Sequence, residues 1–323
     1  MNIGIIGAGL IVPDFLEACR DISSITVRSI CARERNLEKM NQLSEKYGIE
    51  KIFTDYEDLL NDDVDGIYVA VPNHLHYQFA KEALKHKKHV ILEKPFTSSY
   101  DQARDLVETA EENHVILFEA ISNQYLPNYE KVKELLPELG GIKIAHLNFS
   151  QYSRRYDLFK EGTILPVFDP EKSGGALMDL NVYNIHFLLG LFGKPDRVTY
   201  IANIERGIDT SGILTLEYPG FQCAAIGAKD CKAPAEVSIQ GDKGCIYANT
   251  PSSLFESFTF LGNDGREQEY ALNEGKSRMY FELKYFAGMV ERQDFEEAGK
   301  RIRQTLDVME ILDAGRKQVG VRV

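Results

Sequence analysis

The chain opens Met1-Asn2-Ile3-Gly4-Ile5-Ile6-Gly7-Ala8-Gly9-Leu10-Ile11-Val12-Pro13, and this stretch decides the first half of the fold. Ile3–Ile6 is a short apolar run without polar alternation, the pattern of a strand covered on both faces. Gly7-Ala8-Gly9 follows at once, and a helical pattern begins near Pro13, a residue tolerated in a first helical turn. Strand, glycine-rich bend and helix in direct succession form the context that gives a dinucleotide fingerprint its meaning. Gly7 permits the tight turn, and Gly9 lets the backbone approach a pyrophosphate. The helix N-terminus then offers free N–H groups and the positive end of its dipole. The third fingerprint position is Val12, where glycine or alanine would pack closest, so the helix is expected to ride slightly higher. Gly7, Ala8, Gly9, Leu10 and Ile11 are the expected phosphate-side contacts.

Outward from this bend the same alternation continues to about Ile121. Apolar runs at Ile25–Cys31, Gly66–Val71, His89–Leu92 and Val115–Phe118 alternate with helical patterns at Pro13–Arg20, Leu37–Tyr47, Leu75–Lys85 and Tyr100–Glu112. Continuous apolar strands separated by helices imply a parallel sheet covered on both sides, hence an α/β Rossmann dinucleotide-binding domain over residues 1–121. Beyond Asn123 the rhythm changes. Helical patterns at Pro127–Leu136 and Ala176–Leu191 bracket a strand-like Ile142–Tyr152. Strand candidates then follow one another at Arg197–Glu205, Gly212–Tyr218, Phe221–Ala228, Ala235–Gln240, Gly244–Ala248 and Ser253–Phe260. Strands without intervening helices predict a mostly antiparallel sheet and an α+β domain over residues 122–323. Helical stretches Met279–Glu291 and Phe295–Lys317 close the chain and are the segments able to pack back on the first domain.

Composition bounds the function. In 323 residues, 44% hydrophobic and 27% charged, the net charge is −12, which disfavours nucleic acid as a partner. No apolar run approaches the roughly 20 residues that span a bilayer, and the N-terminus lacks a basic leader, so a cytoplasmic protein is expected. The five cysteines lie far apart without a C-x-x-C pair, so neither a zinc site nor a disulfide framework is expected.

In an open parallel sheet, ligands gather beyond the carboxyl ends of the strands. The second strand ends at Cys31-Ala32-Arg33-Glu34. With Ala32 uncharged and Arg33 first, the tip favours the 2′-phosphate of NADP(H), while Glu34 keeps NAD(H) open. The next ends carry Val71-Pro72-Asn73 with His76, and Glu93-Lys94-Pro95. A lysine at a strand end projects toward the ligand crevice. Near a cationic nicotinamide its pKa falls, so Lys94 can donate a proton or hydrogen bond to the reacting oxygen.

These motifs resemble the glucose–fructose oxidoreductase / inositol dehydrogenase / MocA family. The resemblance rests on Gly7-Ala8-Gly9, Val71-Pro72-Asn73 with His76, Glu93-Lys94-Pro95, and Gly174-Gly175-Ala176-Leu177-Met178-Asp179. It implies a second domain built on a large open sheet, NAD(P)-linked hydride transfer on sugars, polyols or dihydrodiols, and a homodimer or homotetramer assembled through that sheet.

The Gly174-Gly175 segment leads into an apolar helix with Ser173 as its expected N-cap. Along it Asp179, Tyr183 and His186 fall at i, i+4 and i+7, on one stripe of a regular helix. An acid, a phenol and an imidazole on one stripe suit a proton relay, or equally a buried network that fixes the helix. The resemblance implies catalytic roles for Lys94 and Asp179. Tyr183 stands where inositol-type members carry histidine, as in the dihydrodiol/xylose dehydrogenase-like branch, and is the leading proton carrier, with His186 behind it. Candidate substrate contacts are Asn123, Arg154, Arg155, Tyr156 and Asn181, and Arg154-Arg155 equally suits a solvated loop. Lys94 and the stripe starting at Asp179 are expected to meet around the dinucleotide. Two other functions stay open: a non-catalytic NAD(P)-binding sensor of the same fold, and an NAD-dependent glycoside hydrolase.

Overall fold

The computed structural model describes residues 1–322, which fall into two compact units. Met1–Ala120 with Lys276–Leu306 forms the first; Ile121–Gly275 with the chain from Asp307 on forms the second.

The first unit is built on a six-stranded parallel sheet. Its strands are β1 (Asn2–Ile6), β2 (Thr26–Cys31), β3 (Lys51–Phe53), β4 (Gly66–Val69), β5 (His89–Glu93) and β6 (Leu117–Ala120), in the order β3-β2-β1-β4-β5-β6. The apolar runs become its central strands because both faces are covered: Ile3, Ile5, Ile67, Tyr68, Val90 and Ile91 are all fully buried. Each such aliphatic side chain contributes about 1.5–3 kcal/mol over leaving it in water. The first helix, Val12–Arg20, packs through Phe15, whose ring stacks on Tyr68 of β4 with centroids 3.8 Å apart. Ser99 accepts from the Gln102 N–H to start helix Tyr100–Asn113, and Gly48, at φ 72°, ends helix Leu37–Tyr47. Edge strand β3 and the short helix Tyr56–Leu60, capped by Asp55, lack a sequence signal because three and five residues cannot display a period.

The second unit carries an eight-stranded sheet. Its strands are β7 (Ile142–Ser150), β8 (Arg197–Glu205), β9 (Ile208–Tyr218), β10 (Phe221–Ala228), β11 (Glu236–Gly241), β12 (Gly244–Ala248), β13 (Phe258–Gly262) and β14 (Glu267–Tyr270). They run in the order β14-β13-β12-β11-β7-β10-β9-β8, and all neighbours are antiparallel except β7 and β10. One face is core: Ala145, Leu147, Leu214, Leu216, Ala225 and Val237 are buried. Alternate positions point the other way, leaving Ile144 49%, Ile201 70% and Ile213 46% exposed. Helix Val182–Phe192 covers the core face beside β7 and β10.

Two local expectations fail. Ser253–Glu256 is a turn rather than the start of a strand, with Phe255 at φ 37° and β13 beginning only at Phe258. Its apolar residue is buried by ring packing on Phe187 and Phe258 rather than by a sheet, and no alternation could signal that. Ser173 does not cap the helix that carries Asp179 and Tyr183. It closes the short turn Pro170–Lys172 in the left-handed region, and the helix starts four residues later. No described helix is long and apolar enough to cross a membrane.

Candidate active site

In the first unit, β1, β4 and β5 are neighbours, so their carboxyl ends lie side by side. Beyond β1, Gly7 adopts φ 115°, and a Cβ there would overlap the Ala70 carbonyl. Only glycine fits. Gly9 is exposed, with ordinary contact distance to Ala70 on one side and open space on the other. No side chain caps the first turn of helix Val12–Arg20, and Leu10 is 79% exposed at the bend. An uncapped N-terminus beneath an open glycine bend fits a pyrophosphate, so Gly7–Ile11 can hold a dinucleotide. Lys39, not anticipated from sequence, donates to the Gly9 carbonyl at 3.4 Å and brings an ammonium to the same bend. Arg33 and Arg35 are both exposed just beyond Ala32, at the end of β2.

Beyond β4 and β5, one side chain ties the two loops together. His76 is buried, with Nδ1 2.9 Å from the Pro95 carbonyl and Nε2 2.9 Å from the Val71 carbonyl. Burial holds its pKa below the usual imidazole range, against the pull of those carbonyls. A neutral ring has one N–H, so one contact is a hydrogen bond and the other a close approach. His76 thus fixes the backbone on either side of the ligand edge instead of presenting its ring to it. The Lys94–Pro95 peptide is cis. The Lys94 N–H donates to Glu93 Oε2 at 3.2 Å, and Tyr68 Oη donates to Glu93 Oε1 at 2.5 Å. Behind them lies Glu282, 1% exposed. Burial, with Glu93 and Glu119 adding and Arg278 opposing, pushes its carboxyl well above the usual range. Glu119 accepts from Thr305 Oγ1 at 2.7 Å.

In the second unit the predicted stripe is differently built. Leu177–Asn181 is a π-helical turn and Val182–Phe192 an α-helix, so the spacing of a regular helix does not carry from Asp179 to Tyr183. Asp179 forms an ion pair with Lys229, which sequence reasoning missed because it follows β10 with no motif around it. Tyr183 is buried to 7% exposure, and its carbonyl accepts from Asn123 Nδ2 at 2.8 Å. His186 is 1% exposed, with Nδ1 3.3 Å from Gln124 Nε2, and its own carbonyl accepts from that amide at 2.8 Å. An amide donor facing Nδ1 leaves the proton on Nε2.

The proposed substrate contacts separate. Asn181 donates to the Ala225 carbonyl at 2.9 Å and accepts from Asn184, so its amide anchors the π turn to β10. Gly227 allows this, since a Cβ there would lie 2.9 Å from the Asn181 Cβ. Asn123 is likewise committed to the helix backbone. Arg154 and Arg155 are exposed on helix Arg154–Lys160 rather than in a loop. Tyr156 Oη donates to Glu205 at 2.6 Å, and that bond pushes the phenol up to about 12.

A strand order β3-β2-β1-β4-β5-β6 with an open glycine bend at its switch point defines a Rossmann dinucleotide-binding domain. Residues 1–121 match the family described as an oxidoreductase family with an NAD-binding Rossmann fold, and residues 129–247 match the GFO/IDH/MocA C-terminal domain. The chain is 32% identical to scyllo-inositol 2-dehydrogenase (NADP(+)) IolU of Bacillus subtilis, over 99% of this chain and 98% of that one. It is 28% identical to trans-1,2-dihydrobenzene-1,2-diol dehydrogenase of Xenopus tropicalis, over 86% of this chain and 83% of the relative. The fold is shared with KijD10, a 3-ketoreductase from Actinomadura kijaniata (TM-score 0.86, 22% identity, 98% and 97% of the two chains). Levoglucosan dehydrogenase shares it too (TM-score 0.85, 16% identity, 98% and 96%). The chain belongs to the GFO/IDH/MocA family and is an NAD(P)-dependent oxidoreductase.

Proposed function

We propose that this oxidoreductase interconverts a secondary hydroxyl and a carbonyl on a polyol or sugar, with NADP(H) as the favoured cofactor. The observation that carries the reading is the row of strand ends, where the open bend after β1 and Lys94 after β5 flank the β4 loop of one sheet. Near-full-length similarity to an NADP-linked inositol dehydrogenase supports the substrate class. Arg33, Arg35 and Lys39 supply the cations that a 2′-phosphate and a pyrophosphate require.

Bound nicotinamide supplies or accepts the hydride. The residues of this chain hold and orient. Gly7–Ile11 take the phosphates, and the loops pinned by His76 fix the backbone on either side of Asn73 and Lys94. Lys94 hydrogen-bonds the reacting oxygen, Tyr183 moves the hydroxyl proton, and Asp179 accepts from a substrate hydroxyl. Orientation of this kind is a large share of the rate gain in such reactions. Asn123, Asn181 and His186 set the helix that bears Tyr183. A second copy of the chain covers the exposed Ile144, Ile201 and Ile213 of the open sheet, giving a homo-oligomer, and the free thiols suit the reducing cytoplasm.

The test is a fluorescence titration with NADPH and NADH, followed by turnover on a panel starting with scyllo-inositol and NADP+. Substrate-dependent NADPH formation is expected. Tight NADPH binding without turnover on any polyol, aldose or diol would instead identify a sensor.

A further inference from the structure

Lys229 is a buried cation that the proposed chemistry leaves unused. Its side chain is 3% exposed, and its Nζ lies 5.2 Å from the centroid of the Phe168 ring. Its backbone N–H donates to the Thr210 carbonyl at 2.8 Å, which anchors it at the end of β10. Its ionic partner Asp179 has a side chain 27% exposed. The pair is therefore asymmetric: the cation is sealed, and a hydroxyl can reach only the anion. A buried ion pair yields little net stability over apolar packing of the same volume, so stability alone does not account for it.

A second acid frames the same ammonium. Asp209 is fully buried and near enough to Lys229 to feel its charge. Its Oδ2 accepts from the Leu177 N–H at 2.7 Å and from Tyr200 Oη at 2.8 Å. It thereby holds the first turn of the helix on which Asp179 sits two residues later. Asp179 thus pairs with Lys229 from the end of β10, and Lys229 in turn feels Asp209 of β9, which Tyr200 of β8 holds with Asp230 close by.

We infer that Lys229 is a positioning residue that keeps Asp179 ionised and holds its carboxylate in place for a substrate hydroxyl. The inference rests on the assignment of Asp179 to the substrate. Lys229 touches no substrate; it acts through Asp179.

The experiment uses the full-length enzyme in wild type, Lys229→Met, Lys229→Arg, Asp179→Asn and the double variant. Methionine keeps the length and suits the Phe168 ring, while arginine keeps the charge. Carbon-13 NMR of the Asp179 carboxyl, assigned by its loss in Asp179→Asn, reads the ionisation directly. Its midpoint is expected to rise by about one unit or more in Lys229→Met and to stay near wild type in Lys229→Arg. An unmoved midpoint overturns the inference, whatever the activity. On scyllo-inositol, Lys229→Met is expected to lower kcat/KM about 10- to 100-fold with NADPH affinity unchanged, and to add nothing in the Asp179→Asn background. An equal loss in that background overturns it as well. Full activity in Asp179→Asn would instead remove Asp179 from the proposed reaction, while the NMR midpoint still decides the role of Lys229. Should Lys229→Met not fold, the double variant, neutral at both positions, is expected to recover the fold, and its failure to do so counts against the pairing.

Discussion

A Cβ on Gly175 would overlap Oδ1 of Asp209, so the second glycine of Gly174-Gly175 is dictated by a carboxylate on a strand more than 30 residues away. Gly175 also stands at φ 104°, where an L side chain is strained. Gly175→Ala is therefore expected to destabilise the protein by about 1–3 kcal/mol, from strain and from displacing the group that holds the Leu177 N–H. Calorimetry would show the lowered Tm, and an unchanged Tm would mean that Asp209 moves aside at no cost.

Asp209 carries a pH signature. Burial raises its pKa from 3.8 to about 6, against the lowering pull of the Leu177 N–H, Tyr200 and Lys229. A carboxyl whose folded pKa exceeds its unfolded one binds more protons in the native state between those values. Its contribution is thus full below pH 4, falls as pH rises toward 6, and is flat above. Two units correspond to about 3 kcal/mol. Urea unfolding at pH 4 and pH 7 should show wild type losing up to that much more than Asp209→Asn. The same difference at both pH values would place the ionisation elsewhere.

The Rossmann half was legible because apolar runs and helices alternate over spans long enough to show a period, and because Gly7-Ala8-Gly9 and Lys94 lie at strand ends that the sequence itself marks. The helix bearing Asp179 and Tyr183 was legible as a helix but not in its register. A π turn leaves no compositional trace, and it breaks the i, i+4, i+7 argument. Nor could sequence show that Asn181 and Asn123 spend their amides on backbone carbonyls, since that depends on strands distant along the chain. Lys229 and Asp209 were invisible for the same reason. Each draws its meaning from a partner more than 30 residues away, with no motif around it.

At the nucleotide end, Arg33 is exposed at the tip of β2, and Ala32 leaves room beside it. A charge-assisted contact to a 2′-phosphate is worth about 1.5–3 kcal/mol. Arg33→Ala should weaken NADPH binding about 10- to 100-fold and leave NADH within a factor of two. Equal losses for both would assign the 2′-phosphate to Arg35 or Lys39.

Lys94 follows β5 with its backbone N–H tied to Glu93, so removing its side chain leaves the loop held by His76 and Pro95. Lys94→Ala is expected to lower kcat about 10²-fold while NADPH affinity stays near wild type. Unchanged turnover would take Lys94 out of the chemistry.

Tyr183 and His186 make opposite predictions as proton carriers. His186 is 1% exposed, and its Nδ1 faces the Gln124 amide, a donor that an imidazolium could not accept from. To shuttle a proton it would have to break that contact and ionise in the core. Tyr183 is 7% exposed, and its backbone carbonyl is held by Asn123. Tyr183→Phe, which deletes only the hydroxyl, should cut kcat about 10²-fold or more with the fold intact. His186→Gln should lower Tm and affect kcat by only a few fold. The pH profile separates the two most cleanly. If His186 were the carrier, an ionisation limb of the profile would persist in Tyr183→Phe and vanish in His186→Gln. If Tyr183 is the carrier, His186→Gln keeps the wild-type profile.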